Sequence, residues 1–217
     1  MNTHRPLRKG FTLIEMLVVI AIIALLASIL VPAVTGALAK GDRIKYSSYA
    51  RGIYLSVFAS ITDGAMVRTS NNYFPNSASR DNGDYTTSSG YFEFLMVENQ
   101  LDADFEMFGS LPGMLYASQP SELDATTNPW SVTLNSSINS PASMPFIFTA
   151  NVNASALVAG DDTSSTTSIT IDATTVQLED VVIFCTVGGS AGSLVGEDTI
   201  IWQNLNPTDR TNEILAP

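Results

Sequence analysis

The sequence predicts an α+β fold, with one long N-terminal helix packed on a small antiparallel sheet. Three observations carry this. Met16 to Ala39 is an apolar run of twenty-four residues without a charge. Apolar residues then continue at helical spacing through Tyr46, Tyr49, Ala50, Ile53, Tyr54, Val57, Phe58 and Ile61, which places them on one stripe of a helix. The second half of the chain holds short segments rich in β-branched and aromatic residues, bounded by Gly, Asn, Asp, Ser and Pro, the pattern of strands and turns. A helix followed by strands is an α+β order.

The elements follow in chain order. Residues 1–10 form a short leader with Arg5, Arg8 and Lys9. The apolar run, at a rise of about 1.5 Å per residue, is about 36 Å long, enough to cross a hydrocarbon layer of about 30 Å with some tilt. Pro32 and Gly36 lie within it; proline removes a helical hydrogen bond and crowds the preceding turn, so a bend is expected there. Residues 11–39 are therefore read as the membrane part of a helix that extends to about residue 62, where Asp63-Gly64 supplies a stop. Residues 63–217 are read as one globular head.

Within the head, Ala65 to Ser89 reads as a polar loop and Tyr91 to Glu98 as a short, largely buried helix. Pro112-Gly113 marks a turn. Strands are expected at Trp130–Leu134, Pro145–Val152, Ser168–Asp172, Val176–Val187 and Thr199–Gln203. Asp161 to Ser168 reads as a loop or hairpin tip, and Gly188 to Gly192 as the turn that pairs the Val181 and Thr199 segments.

Charge and rare residues exclude several functions. From Asp63 onward only Arg68, Arg80 and Arg210 stand against nineteen acidic residues, a field that repels nucleic acid. Lys40, Arg43, Lys45 and Arg51 form a basic collar just beyond the apolar run; lipid headgroups, an acidic neighbouring subunit or plain solvent would each suit it. His4 is the single histidine and lies in the leader, so a chain cleaved after Gly10 can form neither a Ser-His-Asp triad nor a histidine-ligated zinc site. Cys185 is the lone cysteine, within the apolar run Val181 to Val187, and is expected to be a buried small hydrophobe. Carboxylate pairs could be drawn from Asp102, Asp104 and Glu106 or from Glu179 and Asp180, but a solvated acidic face accounts for them. No enzymatic activity is expected.

Glu15 is the residue that the composition leaves unexplained. It stands at the entrance of the apolar run, where an ionised acid in lipid requires a partner. The leader with Arg5, Arg8 and Lys9, the Gly10-Phe11 junction, Glu15 four residues beyond it and Pro32 in the apolar run together resemble the signature of the type IV prepilin-like family. The head order Asp63-Gly64, Tyr73-Phe74-Pro75-Asn76, Tyr91-Phe92 and Leu95 is similar to a divergent type II secretion pseudopilin related to the major pseudopilin.

That resemblance implies a pilin-like fold and a single-pass protein of the bacterial inner membrane, with a cytoplasmic leader and a periplasmic head; charge counting alone leaves the orientation open, since the collar balances the leader. It implies processing at Gly10 and Phe11 by a prepilin peptidase, with methylation of the new amine. It makes Phe11, Glu15 and Pro32 the assembly residues, with Glu15 facing the Phe11 amine of a neighbouring subunit. The implied partners are copies of the chain itself, other pseudopilins, the inner-membrane assembly platform and membrane lipid. The function expected is a structural subunit of a type II secretion pseudopilus. The alternatives are a type IV pilus subunit serving adhesion, motility or DNA uptake, or a membrane-tethered ligand-binding module.

Two further expectations remain. No cofactor is required, although the resemblance implies calcium in a head loop, for which Asp81 and Asp84 or Asp161 and Asp162 offer hard oxygen donors. A secretory signal is the rival to a membrane anchor, because Ala37-Leu38-Ala39 has the small-x-small form of a signal-peptidase site. An apolar segment about twice the usual signal length, and the unexplained Glu15, argue for the anchor.

Overall fold

The computed structural model describes residues 12–67, 74–101, 104–153, 156–158, 166–171, 176, 178, 180–196, 199–203 and 211–217. The chain divides into two compact units, Met1–Asp42 and Arg43–Pro217.

In the first unit the described residues are helix α1, which opens at Leu13. Every residue from Thr12 to Asp42 is exposed. The large apolar side chains Leu13 to Leu38 therefore have no cover among the described residues, and a lipid or further protein environment would shield them. Pro32 lies inside the helix and, having no N–H, leaves the Ser28 carbonyl without its usual donor. The hydroxyls of Ser28 and Thr35 donate to the carbonyls of Leu25 at 2.7 Å and Pro32 at 3.0 Å.

In the second unit α1 continues to Val67, five residues beyond the expected stop. Gly64 does not end it: a lone glycine costs only about 1 kcal/mol inside a helix, and helix-compatible Ala65, Met66 and Val67 follow. Here the helix has two faces. Tyr46, Ala50, Ile53, Tyr54, Val57 and Ser60 are buried, while Ile44, Ser48, Arg51, Leu55 and Phe58 are exposed. Phe58, expected in the buried stripe, stacks on Tyr54 at 5.8 Å between ring centroids and keeps its outer side open.

Among the described residues three short α-helices and a 3-10 turn, Pro120–Glu122, precede the strands. α2 is Ser77–Asn82, lying within the segment expected to be a loop. Its ends explain it: the Asn76 side chain accepts from the Ser79 N–H at 2.8 Å, and Gly83 closes it in the left-handed conformation at φ 86°. α3 is Ser88–Val97, capped by Thr87, and buries Tyr91, Phe92 and Leu95. α4 is the single turn Glu106–Gly109.

The strands are β1 Trp130–Thr133, β2 Pro145–Thr149, β3 Val152–Asn153, β4 Ala156–Val158, β5 Thr166–Ile171, β6 Val181–Thr186, β7 Ala191–Val195, β8 Thr199–Gln203 and β9 Thr211–Leu215. They form an antiparallel sheet in the order β4-β9-β1-β2-β6-β7 and a smaller antiparallel sheet β3-β5-β8. The α+β expectation holds. The turn falls at residues 187–190, with Ala191 and Gly192 already in β7, and it pairs β6 with β7, Val181 opposite Val195, rather than with the Thr199 segment. That segment, β8, pairs with β5 instead, Ser168 opposite Ile201. Of the expected tip Asp161 to Ser168, Thr166 to Ser168 belong to β5 and the remainder lies outside the described residues.

β1 and β2 are buried along their whole length, as strands covered on both faces must be. Phe146 in β2 meets Tyr54 of α1 and Phe74 edge-on at 5.7 and 5.3 Å, and the Tyr54 hydroxyl donates to the Val187 carbonyl. A buried polar network ties α3 to the start of β1. The Asn128 amide donates to Ser88 Oγ at 3.0 Å and Ser89 Oγ at 3.1 Å, while its carbonyl accepts from the Trp130 N–H at 3.0 Å. Cys185 is fully buried, and burial pushes its thiol up to about 12, so it is inert as a nucleophile.

Candidate assembly site

Thr12 and Glu15 build the entrance of α1 between them. Glu15 Oε2 accepts from the Thr12 N–H at 2.8 Å and from the Thr12 hydroxyl at 2.7 Å, and Thr12 Oγ1 in turn accepts from the Glu15 N–H at 3.3 Å. This is a capping box, in which residues three apart satisfy each other's free helix-end donors. The Thr-x-x-Glu spacing is legible in the sequence, yet Thr12 was not among the expected site residues. Glu15 is exposed, and both of these side-chain bonds use one oxygen, so Oε1 is left to meet a further donor. Gly10 and Phe11 lie outside the described residues, and Pro32 sits exposed within α1.

The collar is divided in what it does. Lys45 Nζ pairs with Glu106 Oε1 at 3.1 Å, and the Tyr49 hydroxyl donates to the same oxygen at 2.8 Å. Together the Tyr49 bond, then Lys45, hold the Glu106 carboxyl below its ordinary value. This cluster joins α4 to α1, helped by the Tyr46 hydroxyl on the Ser110 carbonyl at 3.4 Å. Arg43 and Arg51 form no ion pair among the described residues.

The acidic candidates are scattered. Asp81 is paired with Arg80 at 3.3 Å, and Arg80 also pairs with Glu213 of β9. Asp84 is exposed just after the Gly83 cap. Asp161, Asp162, Asp102 and Glu179 lie outside the described residues, while Asp104, Glu106 and Asp180 are exposed. Among the described residues no three His, Cys, Asp or Glu side chains gather as a metal site.

The decisive likeness is at the N-terminus, where residues 5–31 match the family model of the prokaryotic N-terminal methylation motif. The chain carries a prokaryotic N-terminal methylation motif at its start. The chain is 38% identical over 61 residues to a type IV major fimbrial protein FimA of Dichelobacter nodosus. It is 37% identical over 60 residues to a fimbrial protein of the same organism. Each match covers 28% of this chain, which spans 38% of the length of those curated relatives. No solved structure matches the chain.

Proposed function

We propose that the chain is a structural filament subunit, processed between Gly10 and Phe11, that polymerises through its N-terminal hydrophobic helix. The observation that carries this reading is the exposure of that helix. Its apolar side chains from Leu13 to Leu38 are uncovered, and above them the outer face still exposes Ile44 and Leu55. Neighbouring copies of the same helix would cover both stretches. In lipid the free Glu15 oxygen then favours a cationic partner, which the Phe11 amine of a neighbour would supply.

Membrane insertion precedes assembly in this reading, with the head on the periplasmic side of the bacterial inner membrane. A prepilin peptidase, other pseudopilins and the inner-membrane assembly platform are the partners. The finer role is a type II secretion pseudopilus. A surface pilus is the second reading, and the fimbrial names of the relatives favour it. A ligand-binding module or an enzyme would use Glu15 only as a helix cap.

Deleting the encoding gene tests the role. A pseudopilus subunit is expected to leave secreted proteins behind in the periplasm while surface filaments persist. Loss of surface filaments with normal secretion would replace this role by the pilus reading, and loss of neither would overturn the filament role itself.

A further inference from the structure

A groove of about 290 Å³ opens in the second unit between α1 and the sheet edge, lined by Arg43, Ile44, Ser47, Ala191, Gly192 and Ser193. Its strand wall is β7, which ends the large sheet and is paired only to β6 among the described residues. Its helix wall carries one charge. Arg43 is half-buried and without an ion pair among the described residues, whereas Lys45, two residues on, is engaged by Glu106. Ser47 turns its hydroxyl back on the Arg43 carbonyl at 2.8 Å rather than toward the groove's charge.

We propose that this groove holds the phosphate of an anionic phospholipid headgroup against Arg43. The placement is a matter of depth. Arg43 lies four residues beyond Ala39, the last residue of the apolar run, so about 6 Å above it along the helix. A headgroup layer is about 5–8 Å deep on each side of the hydrocarbon, so the guanidinium stands at the level of lipid phosphates. A guanidinium presents a planar fork of donors that matches phosphate oxygens in pairs. The wall opposite is open without the fold requiring it. A Cβ on Gly192 would meet the Phe184 ring at 3.5 Å, an ordinary contact, so no clash requires glycine there.

The inference rests on the membrane placement of the apolar run, and the test separates the two. The processed full-length chain in nonionic detergent is incubated with phosphatidylglycerol or phosphatidylcholine, and retained lipid is read by native mass spectrometry. Flotation with vesicles checks insertion, and thermal melting checks the fold. One phosphatidylglycerol is expected per chain, reduced about tenfold in Arg43→Gln by loss of charge-assisted bonds, while Arg51→Gln retains it. Failure to float would sink the membrane placement and the groove with it. A floated, folded Arg43→Gln that retains lipid like the parent would overturn the groove alone, as would equal loss in Arg51→Gln. Displacement by free glycerol phosphate at the same concentration would assign the groove to a soluble phosphate. Unchanged lipid with lost filaments would assign it to a neighbour's carboxylate, and both of those outcomes end the lipid proposal.

Discussion

The two halves of α1 show how one helix can be stabilised by different means. From Leu13 to Leu38 it is apolar on all sides and wholly exposed, so burial must come from outside the chain. From Ile44 to Ser60 it alternates a buried face with one that holds Ile44, Ser48, Arg51 and Leu55 in the open, and there the head supplies the burial. Composition alone determines the first half, whereas periodicity determines the second. A substitution in the lower half should therefore change association without touching the head's stability, and one in the buried face of the upper half should do the reverse.

The largest effect is expected where processing precedes both. Gly10→Val should leave the precursor uncut and held in the membrane, so that no filament forms although the head folds. Mass spectrometry of the membrane fraction decides this. A chain beginning at Lys40 would mean a secretory signal instead, and an efficiently cut Gly10→Val would end the processing model.

Next come the two residues of the capping box, which separate helix capping from charge pairing. Thr12→Ala removes the cap, at a cost of about 1 kcal/mol, but keeps the carboxylate; filament yield should fall modestly. Glu15→Ala, and almost equally Glu15→Gln, remove the charge available to a neighbouring amine, and filaments should be lost while the head stays protease-resistant. Equal losses from Thr12→Ala and Glu15→Gln would mean that Glu15 acts only as a cap.

A third comparison reads the halves directly. Ile53 is fully buried, so Ile53→Ala should destabilise the head by about 2–5 kcal/mol, lowering its melting temperature by several degrees. Leu25→Ala, on the exposed lower half, should leave melting unchanged. Asn128→Ala should cost about 1–3 kcal/mol, because it leaves the Trp130 N–H without its acceptor inside the core. A melting shift from Leu25→Ala as large as that from Ile53→Ala would abolish the distinction between the halves.

The N-terminal segment was legible because its chemistry is local: a run without charge, a carboxylate at its edge, and a proline that only a helix with outside support tolerates. The strands β1, β2 and β6 were legible for a related reason. Buried on nearly every residue, they need aromatic and β-branched side chains throughout. β7, Ala-Gly-Ser-Leu-Val, and β9, Thr-Asn-Glu-Ile-Leu, carry no such run, and were missed. Their places are set by the strands beside them: β9 lies between β4 and β1, a pairing across the length of the head that no local pattern encodes. The β6–β8 pairing failed because the turn was read correctly and its far arm was not. α2 was hidden in a polar segment whose only helical signals were its two ends, Asn76 and Gly83. Thr12 stands three residues before Glu15, the spacing of a capping box, yet the lipid setting of Glu15 points first to a partner on another subunit.

The smallest effect concerns the cluster of Lys45, Tyr49 and Glu106, which fastens α4 to the upper half of α1. The Glu106 carboxyl is held below its ordinary value, first by the Tyr49 hydroxyl and then by Lys45. A lowered carboxyl binds its proton less readily in the folded chain than in the unfolded one, so folding gains from it above the ordinary carboxylate value of 4.5. That gain is lost as the pH falls through the folded value. Because the group is exposed, water and salt screen most of the contribution. Melting curves followed from about pH 7 to about pH 3 should therefore show a slightly shallower acid decline for Glu106→Gln than for the parent. Tyr49→Phe should lie between them, since it removes the first cause and spares the second, and about 1 M salt should bring the three together. Parallel curves would show that the cluster adds nothing to the join, and a steeper decline in Glu106→Gln would reverse the sign of the linkage.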